Sequence, residues 1–262
     1  MRRDEFETLA EQYDSMMSHV NYERWVAVCG MIAELCPRGD FEQRDVGCGR
    51  SALVKSLRNC GWRSYGVDLS YAMASASRKD EAKIPVVQGD MRRLPFEKSF
   101  HFLTCVFDSL NFLLELEDFE SAFTSMRESM TDDGVLYFDV ITERMVLEHY
   151  AGRDWVDRDG KSKMQWHGEY DVERRIVENT IRVDGGKPSV IRERVYDVEE
   201  IRAAAEKAGL RILGIVDTET WCAPTEETLR LDVVASVRND AEIEGRFLGM
   251  REEVQVFLGE MV

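Results

Sequence analysis

Two glycines beside an acid, Asp45-Val46-Gly47-Cys48-Gly49, end a strand-like run, and Ala52, Leu53 and Leu57 follow as the apolar positions of a helix. Glycine lets the backbone turn tightly and approach a ligand, and the helix after it aims its positive N-terminus at the same spot. Two more acids close strand-like runs: Asp68 after Ser64-Tyr65-Gly66-Val67, and Asp90 after Pro85-Val86-Val87-Gln88-Gly89. A carboxylate at the first position can accept both hydroxyls of a ribose. At the second it can accept from an amino group such as adenine N6, so a nucleoside is the natural ligand. A metal is not expected. Cys29, Cys36, Cys48, Cys60, Cys105 and Cys222 form no CxxC pair, and His19, His101, His149 and His167 show no HxxxH spacing.

These residues need a scaffold that gathers strand ends on one edge. Residues 6–36 read as helical, from Phe6, Leu9, Tyr13, Met16 and Met17, and Pro37-Arg38-Gly39-Asp40 stops them. Strand and helix then alternate. Strands are expected at 41–45, 64–68, 85–90, 100–107 and 135–140, with helices after the first, second and fourth. Such alternation implies a doubly wound, mostly parallel sheet in an α/β fold, with ligands at the strand C-termini. After residue 150 the pattern changes to period-two alternation in 163–173, 175–183 and 190–196, which predicts three antiparallel strands. Asp197 with Glu200 reads as a capping box that restarts the helix–strand alternation. The division is a core at 1–149, an antiparallel β insert at 150–196 acting as lid or oligomer contact, the rest of the core at 197–238, and a helical tail at 239–262. In the tail Phe247, Met250, Val254, Phe257 and Met261 make a helical stripe, expected to dock on its own domain, with a homodimer contact through tail or insert as the alternative.

The 262 residues carry 34 Lys+Arg against 50 Asp+Glu, a formal charge of −16. That acidity argues against a phosphate-backbone partner. No apolar run approaches the roughly 18 residues of a membrane span, and the start turns acidic at once. With scattered, reduced cysteines, a cytoplasmic chain is expected.

In this order and spacing the motifs resemble the class I S-adenosylmethionine-dependent methyltransferases, in a small-molecule branch. The matching blocks are Asp45-Val-Gly-Cys-Gly49, Gly66-Val-Asp-Leu-Ser70 with Met73, Gly89-Asp-Met-Arg-Arg-Leu-Pro-Phe96, and the fourth-strand block 102–113. Tyr13-Asp14 and Tyr22-Glu-Arg-Trp25 match the branch's N-terminal motif, and its members often carry antiparallel strands after the fifth strand. The resemblance covers roughly residues 5–238. It implies a seven-stranded sheet, mostly parallel with an antiparallel edge strand, S-adenosylmethionine as cofactor and a small-molecule methyl acceptor, at an amine or a hydroxyl. It also implies roles. Asp45, Gly47, Cys48 and Gly49 would line the methionine portion, Asp68 the ribose, and Asp90 with Met91 the adenine. Leu69 and Met73 would pack on the base, Phe107 would lie beneath the cofactor, and Tyr13, Tyr22 and Trp25 would close over its carboxylate end. Tyr13, Ser109 and Asn111 are the candidates at the substrate mouth. Two departures stand out. The third glycine of the family is Ser51 here, and the first strand, Phe41-Glu42-Gln43-Arg44-Asp45, is polar for a strand buried on both faces, which implies thin cover or a loose cofactor site.

Gly47-x-Gly49-x-x-Ala52 with Asp68 also satisfies the dinucleotide fingerprint, which makes an NAD-dependent dehydrogenase a rival. Asp45 before the first glycine and the Asp90 block argue against it. A non-catalytic module binding S-adenosylmethionine or S-adenosylhomocysteine is the rival from another class. Asp108 reads equally as a base or a helix cap. Cys48 reads as packing, His149 and His167 as solvated surface, and Trp155 and Trp166 as anchors of the insert.

Overall fold

The computed structural model describes residues 6, 9–10, 13–18, 20–37, 41–79, 83–159 and 162–261. The first five residues, His19 and the Arg38-Gly39-Asp40 stop lie outside them. The expected N-terminal helix is two pieces, α1 (Tyr13–Met16) and α2 (Tyr22–Ala33). The break falls where the Asn21 side chain caps α2 by accepting from Arg24 N–H at 3.1 Å. There follow β1 (Glu42–Val46), α3 (Ala52–Asn59), β2 (Arg63–Asp68), α4 (Tyr71–Lys79), β3 (Val86–Gln88) and β4 (Phe100–Cys105). A 3-10 turn over Ser109–Phe112 leads to α5 (Leu116–Ser129), β5 (Met130–Ile141) and α6 (Glu143–His149). The insert holds four strands rather than three: β6 (Asp154–Asp159), β7 (Ser162–Asp171), β8 (Ile176–Val183) and β9 (Ser189–Arg194). β6 alternates too weakly to be read, with Trp155 half-buried between the exposed Asp154 and Val156. Then come α7 (Val198–Lys207), β10 (Arg211–Asp217), β11 (Arg230–Ser236) and α8 (Ala241–Glu260). The Asp197–Glu200 capping box is present, with reciprocal bonds of 2.8 and 3.0 Å.

The main sheet has seven strands in the order β10-β11-β5-β4-β1-β2-β3. All pairings are parallel except those of β11, which lies antiparallel between β5 and the edge strand β10. The order reverses between β1 and β4, so their C-terminal ends open the crevice where such sheets bind ligands. Successive residues feed two cores. Leu103, Phe138 and Val233 face α5 and α7, whereas Phe102, Tyr137 and Val234 face α2, α3 and α8. Each fully buried side chain of this size contributes about 1.5–3 kcal/mol. The tail helix docks on its own domain through Ile243, Phe247, Met250, Val254 and Leu258. Its stripe therefore ends on Leu258, while Met261 is exposed.

The polar first strand has neither thin cover nor unmet groups at Gln43. This side chain is 0% exposed, donates to Thr104 Oγ1 at 2.8 Å and accepts from Ser64 Oγ. Thr104 in turn donates to Asp45 Oδ1 at 2.6 Å, so a polar ladder crosses β2, β1 and β4. The Arg44 guanidinium lies 3.8 Å from the Phe96 ring centroid and 4.4 Å from that of Phe100, and burial lowers its pKa to about 10.

Candidate active site

At the crevice the turn after β1 is left-handed at Gly47 (φ 74°), Gly49 (φ 52°) and Ser51 (φ 64°). Gly47 N–H donates to the Val67 carbonyl at 2.8 Å, which ties the turn to β2. No side chain fits at Gly47, because a Cβ there would lie 2.6 Å from Ser109 Cβ and Oγ. Ser51, in the family's glycine position, holds its strained backbone with a hydroxyl 3.1 Å from Ser77 Oγ of α4. Tyr13, Tyr22, Asp45, Gly47, Cys48, Arg50, Ser51 and Phe107 line the resulting cleft. A Cβ at Gly49 would sit 3.3 Å from the Tyr13 ring, so Tyr13 lies directly over the turn. Arg50 fastens that cover, donating to the Ala10 carbonyl at 2.8 Å and pairing with Asp14 at 3.0 Å. The sequence reading passed over Arg50, whose place inside the glycine turn was its one signal.

Asp68 accepts from Gly49 N–H and Ser70 N–H, both at 2.8 Å, and so fixes two loops at the mouth. Leu69 beside it is 62% exposed at this edge, open to a flat apolar ligand. Met73, expected at the base, is instead buried on the inner side of α4. Asp90 follows the end of β3, and its carboxylate is forked by Arg92, whose Nε lies 2.9 and 3.1 Å from the two oxygens, while Arg92 also reaches Asp118 at 2.8 Å. Met91 approaches the turn, its methyl 3.5 Å from the Cβ position at Gly47. Phe107 (φ 60°) has Tyr22 at 5.6 Å and Trp25 at 4.7 Å between ring centroids. Tyr22 faces the cleft, but Trp25 is buried beneath Phe107 among Val28, Cys29 and Tyr137 and supports the wall without forming it.

Two substrate-mouth candidates turn out to be braces. Asn111 is 0% exposed; its amide donates to the Arg194 carbonyl at 2.8 Å and accepts from Ile141 N–H at 3.2 Å. Ser109 Oγ is bonded to the Val106 carbonyl at 2.9 Å and the Gly47 carbonyl at 3.1 Å. Asp108 caps nothing and pairs with Arg230, which also meets the buried Asp139. Below lies Asp232, buried with Thr218 Oγ1 at 2.9 Å, Trp221 Nε1 at 2.8 Å and Tyr137 OH at 3.0 Å as donors. Lone acids in the apolar runs 135–140 and 231–235 were the available hint of this layer. His149 and His167 are exposed, as expected.

The electrostatics follow from burial. Asp45 is raised to about 7 by desolvation against the pull of its Thr104 bond. Burial pushes the Cys48 thiol well up, with Asp68 and Asp45 adding to it, so this cysteine is a poor nucleophile. Burial likewise pushes the Tyr13 phenol well up and Tyr22 to about 12.

The geometry fits the nucleoside cofactor: a glycine cradle, a carboxylate at the next strand end, an exposed leucine beside it and an aromatic floor. Gly47, Gly49 and Tyr13 would surround its methionine end, and Asp68 with Leu69 its ribose and base. Among the described residues no cluster of His, Cys, Asp and Glu could hold a metal ion, and no helix is long and apolar enough to cross a membrane.

Residues 44–138 match a family described as a methyltransferase domain. A protein of Geobacillus sp. (strain WCH70), named provisionally as a methyltransferase, is 29% identical over 244 residues, covering 88% of this chain and 98% of its own. The structure of an S-adenosylmethionine-dependent methyltransferase from Clostridium acetobutylicum ATCC 824 superposes with a TM-score of 0.77 at 21% identity, covering 89% of this chain and 99% of the other. That of an amino pentose methyltransferase from Micromonospora echinaspora, with S-adenosylmethionine bound, gives 0.67 at 20% identity over 87% and 96%. An antiparallel β11 beside β5 and the methyltransferase domain across the glycine turn set the dehydrogenase reading aside. The fold, the cradle and these likenesses converge: residues 44–138 carry a methyltransferase domain, within a chain that has the class I fold of the S-adenosylmethionine-dependent methyltransferases.

Proposed function

We propose that this methyltransferase acts on a small-molecule amine. The observation that carries the reading is the protonation chemistry of the cleft wall. A hydroxyl acceptor needs a base near neutral pH, whereas an amine needs only to arrive neutral. Tyr13, Tyr22 and Cys48 are all shifted away from acting as bases, Ser109 and Asn111 are tied to backbone groups, and Asp45, though raised to about 7, is buried and held by the Thr104 hydroxyl. The methyl group of the cofactor is already activated on a sulfonium, so the chain's task is to align the acceptor and exclude water. Alignment alone is worth roughly 7–11 kcal/mol of barrier. Tyr13 and Tyr22 cover one side of the cleft and Phe107 forms its floor. The amino pentose substrate in the name of the Micromonospora structure is consistent with an amine, and the −16 charge with a neutral or cationic acceptor and no nucleic acid.

The test is calorimetry with S-adenosylhomocysteine on the parent and on Asp68→Ala and Asp68→Asn, paired with transfer of labelled methyl to a panel of small amines and alcohols. The expected result is at least tenfold weaker binding for Asp68→Ala, a smaller loss for Asp68→Asn, and label on amines alone. Equal binding by Asp68→Ala, or label on alcohols alone, would refute the assignment.

A further inference from the structure

The inner face of the insert sheet carries polar groups that the chain does not satisfy. Trp166 on β7 pairs with Ile181 on β8, and Asn179, two residues before Ile181, lies on the same face. Asn179 pairs with Ile191 on β9, and Glu193, two residues after Ile191, shares that face again. Trp166, Asn179 and Glu193 thus form a diagonal across three strands, each a diagonal neighbour of the next at about 7–8 Å. Trp166 Nε1 and Asn179 Oδ1 are buried with no hydrogen-bond partner. Glu193 is 6% exposed, and among the described residues no hydrogen bond or ion pair reaches its carboxylate. Burial alone raises it to about 7, and its charge is felt by Tyr150. A buried group without a partner destabilises the fold, and more so when it is charged. A donor, an acceptor and a carboxylate unmet on one line are what a ligand would complete.

The face also stands next to the cleft. Ile181, Ile191 and Trp166 pack with Leu9, Phe6, Met16 and Phe112. Phe6 stands 5.3 Å from Phe112 and 6.3 Å from Tyr13 between ring centroids, so one aromatic layer separates the diagonal from the cover of the glycine turn. The Asn111 bond to the Arg194 carbonyl holds β9 to the turn whose first residue, Ser109, touches Gly47. Gly168, opposite Asn179, has no room for a Cβ, which would lie 2.3 Å from the Tyr150 carbonyl and 3.0 Å from Asn179 Oδ1.

We infer that this diagonal recognises the methyl acceptor, and that the acceptor is an amine carrying hydroxyl groups: the Glu193 carboxylate accepts from an N–H of the neutral amine, Asn179 Oδ1 accepts from a hydroxyl and Trp166 Nε1 donates to an oxygen. The inference rests on the small-amine reading above and adds its binding residues. It assigns the insert a recognition role besides roofing.

The test uses the full chain saturated with S-adenosylhomocysteine and ligand-observed saturation-transfer NMR with two probes, D-glucosamine and D-glucose. The expected result is binding of glucosamine at least fivefold tighter than glucose. Glu193→Gln should lose at least tenfold in glucosamine affinity with S-adenosylhomocysteine affinity within twofold of the parent, and Trp166→Phe should lose about threefold. Thermal denaturation at pH 8 controls for folding, since removing a buried carboxylate should leave Glu193→Gln at least as stable as the parent. Unchanged glucosamine affinity in Glu193→Gln, or a parent that binds S-adenosylhomocysteine but does not prefer the amine, overturns the inference alone. A parent that fails to bind S-adenosylhomocysteine sinks the underlying reading and this one with it.

Discussion

Gly47→Ala is the sharpest test of how the cradle is built. Gly47 sits at φ 74°, a region that costs an L-residue about 1–2 kcal/mol. The new methyl would also lie 2.6 Å from Ser109 Cβ and Oγ, well inside contact distance, and overpacking of this kind costs about 1–3 kcal/mol. Moving Ser109 aside strains its bond to the Gly47 carbonyl, now 3.1 Å. The total is about 2–5 kcal/mol of stability, measured by urea denaturation. Because the turn must shift, S-adenosylhomocysteine should bind at least tenfold more weakly, about 1.4 kcal/mol, by calorimetry. The two causes separate in a double-mutant cycle. In a Ser109→Gly background the overlap is gone and only the backbone cost of about 1–2 kcal/mol remains, so the coupling should be about 1–3 kcal/mol. A cost below 1 kcal/mol for Gly47→Ala, or the same cost in both backgrounds, would refute the reasoning.

Two further predictions concern groups the cleft depends on. Asp45 has a folded pKa of about 7 against 3.8 for an ordinary aspartate, so the folded chain binds more protons between those values and loses stability as pH rises through the window. Asp45→Asn should remove this slope, gaining about 2 kcal/mol relative to the parent between pH 5.5 and 8 in parallel denaturation series; a constant difference across that range would contradict the buried-carboxylate account. Asn111→Ala would leave the Arg194 carbonyl and Ile141 N–H without their partner, at about 1–3 kcal/mol each. Hydrogen exchange in β9 should quicken with it, and unchanged exchange there would show that Asn111 does not hold the insert.

Much of the scaffold was legible because it is written in local periods. Alternation of strands and helices, the glycine turn, the capping box at Asp197 and the tail stripe each depend on residues a few positions apart, where backbone geometry alone relates side chains. The acids at strand ends were legible for the same reason, since a parallel sheet puts those ends on one edge. The reading of Trp25, Met73 and Asn111 as ligand-facing went astray because motif spacing places a residue near a site without fixing which side of its element is buried.

Sequence by itself determined the alternation of the core strands and helices, the crevice at the end of β1 and the chemical class of the cofactor. Tertiary structure decided which groups remain available there. Arg92 occupies Asp90, Arg50 fastens the N-terminal cover, Thr218, Trp221 and Tyr137 converge on Asp232, and the diagonal Trp166–Asn179–Glu193 appears only once three strands are in register. These pairings join residues that strand order and register bring together, and in a sheet a slip of one residue turns every side chain to the opposite face. Register is set by the burial of whole strands at once, which is why no local stretch of the chain encodes it.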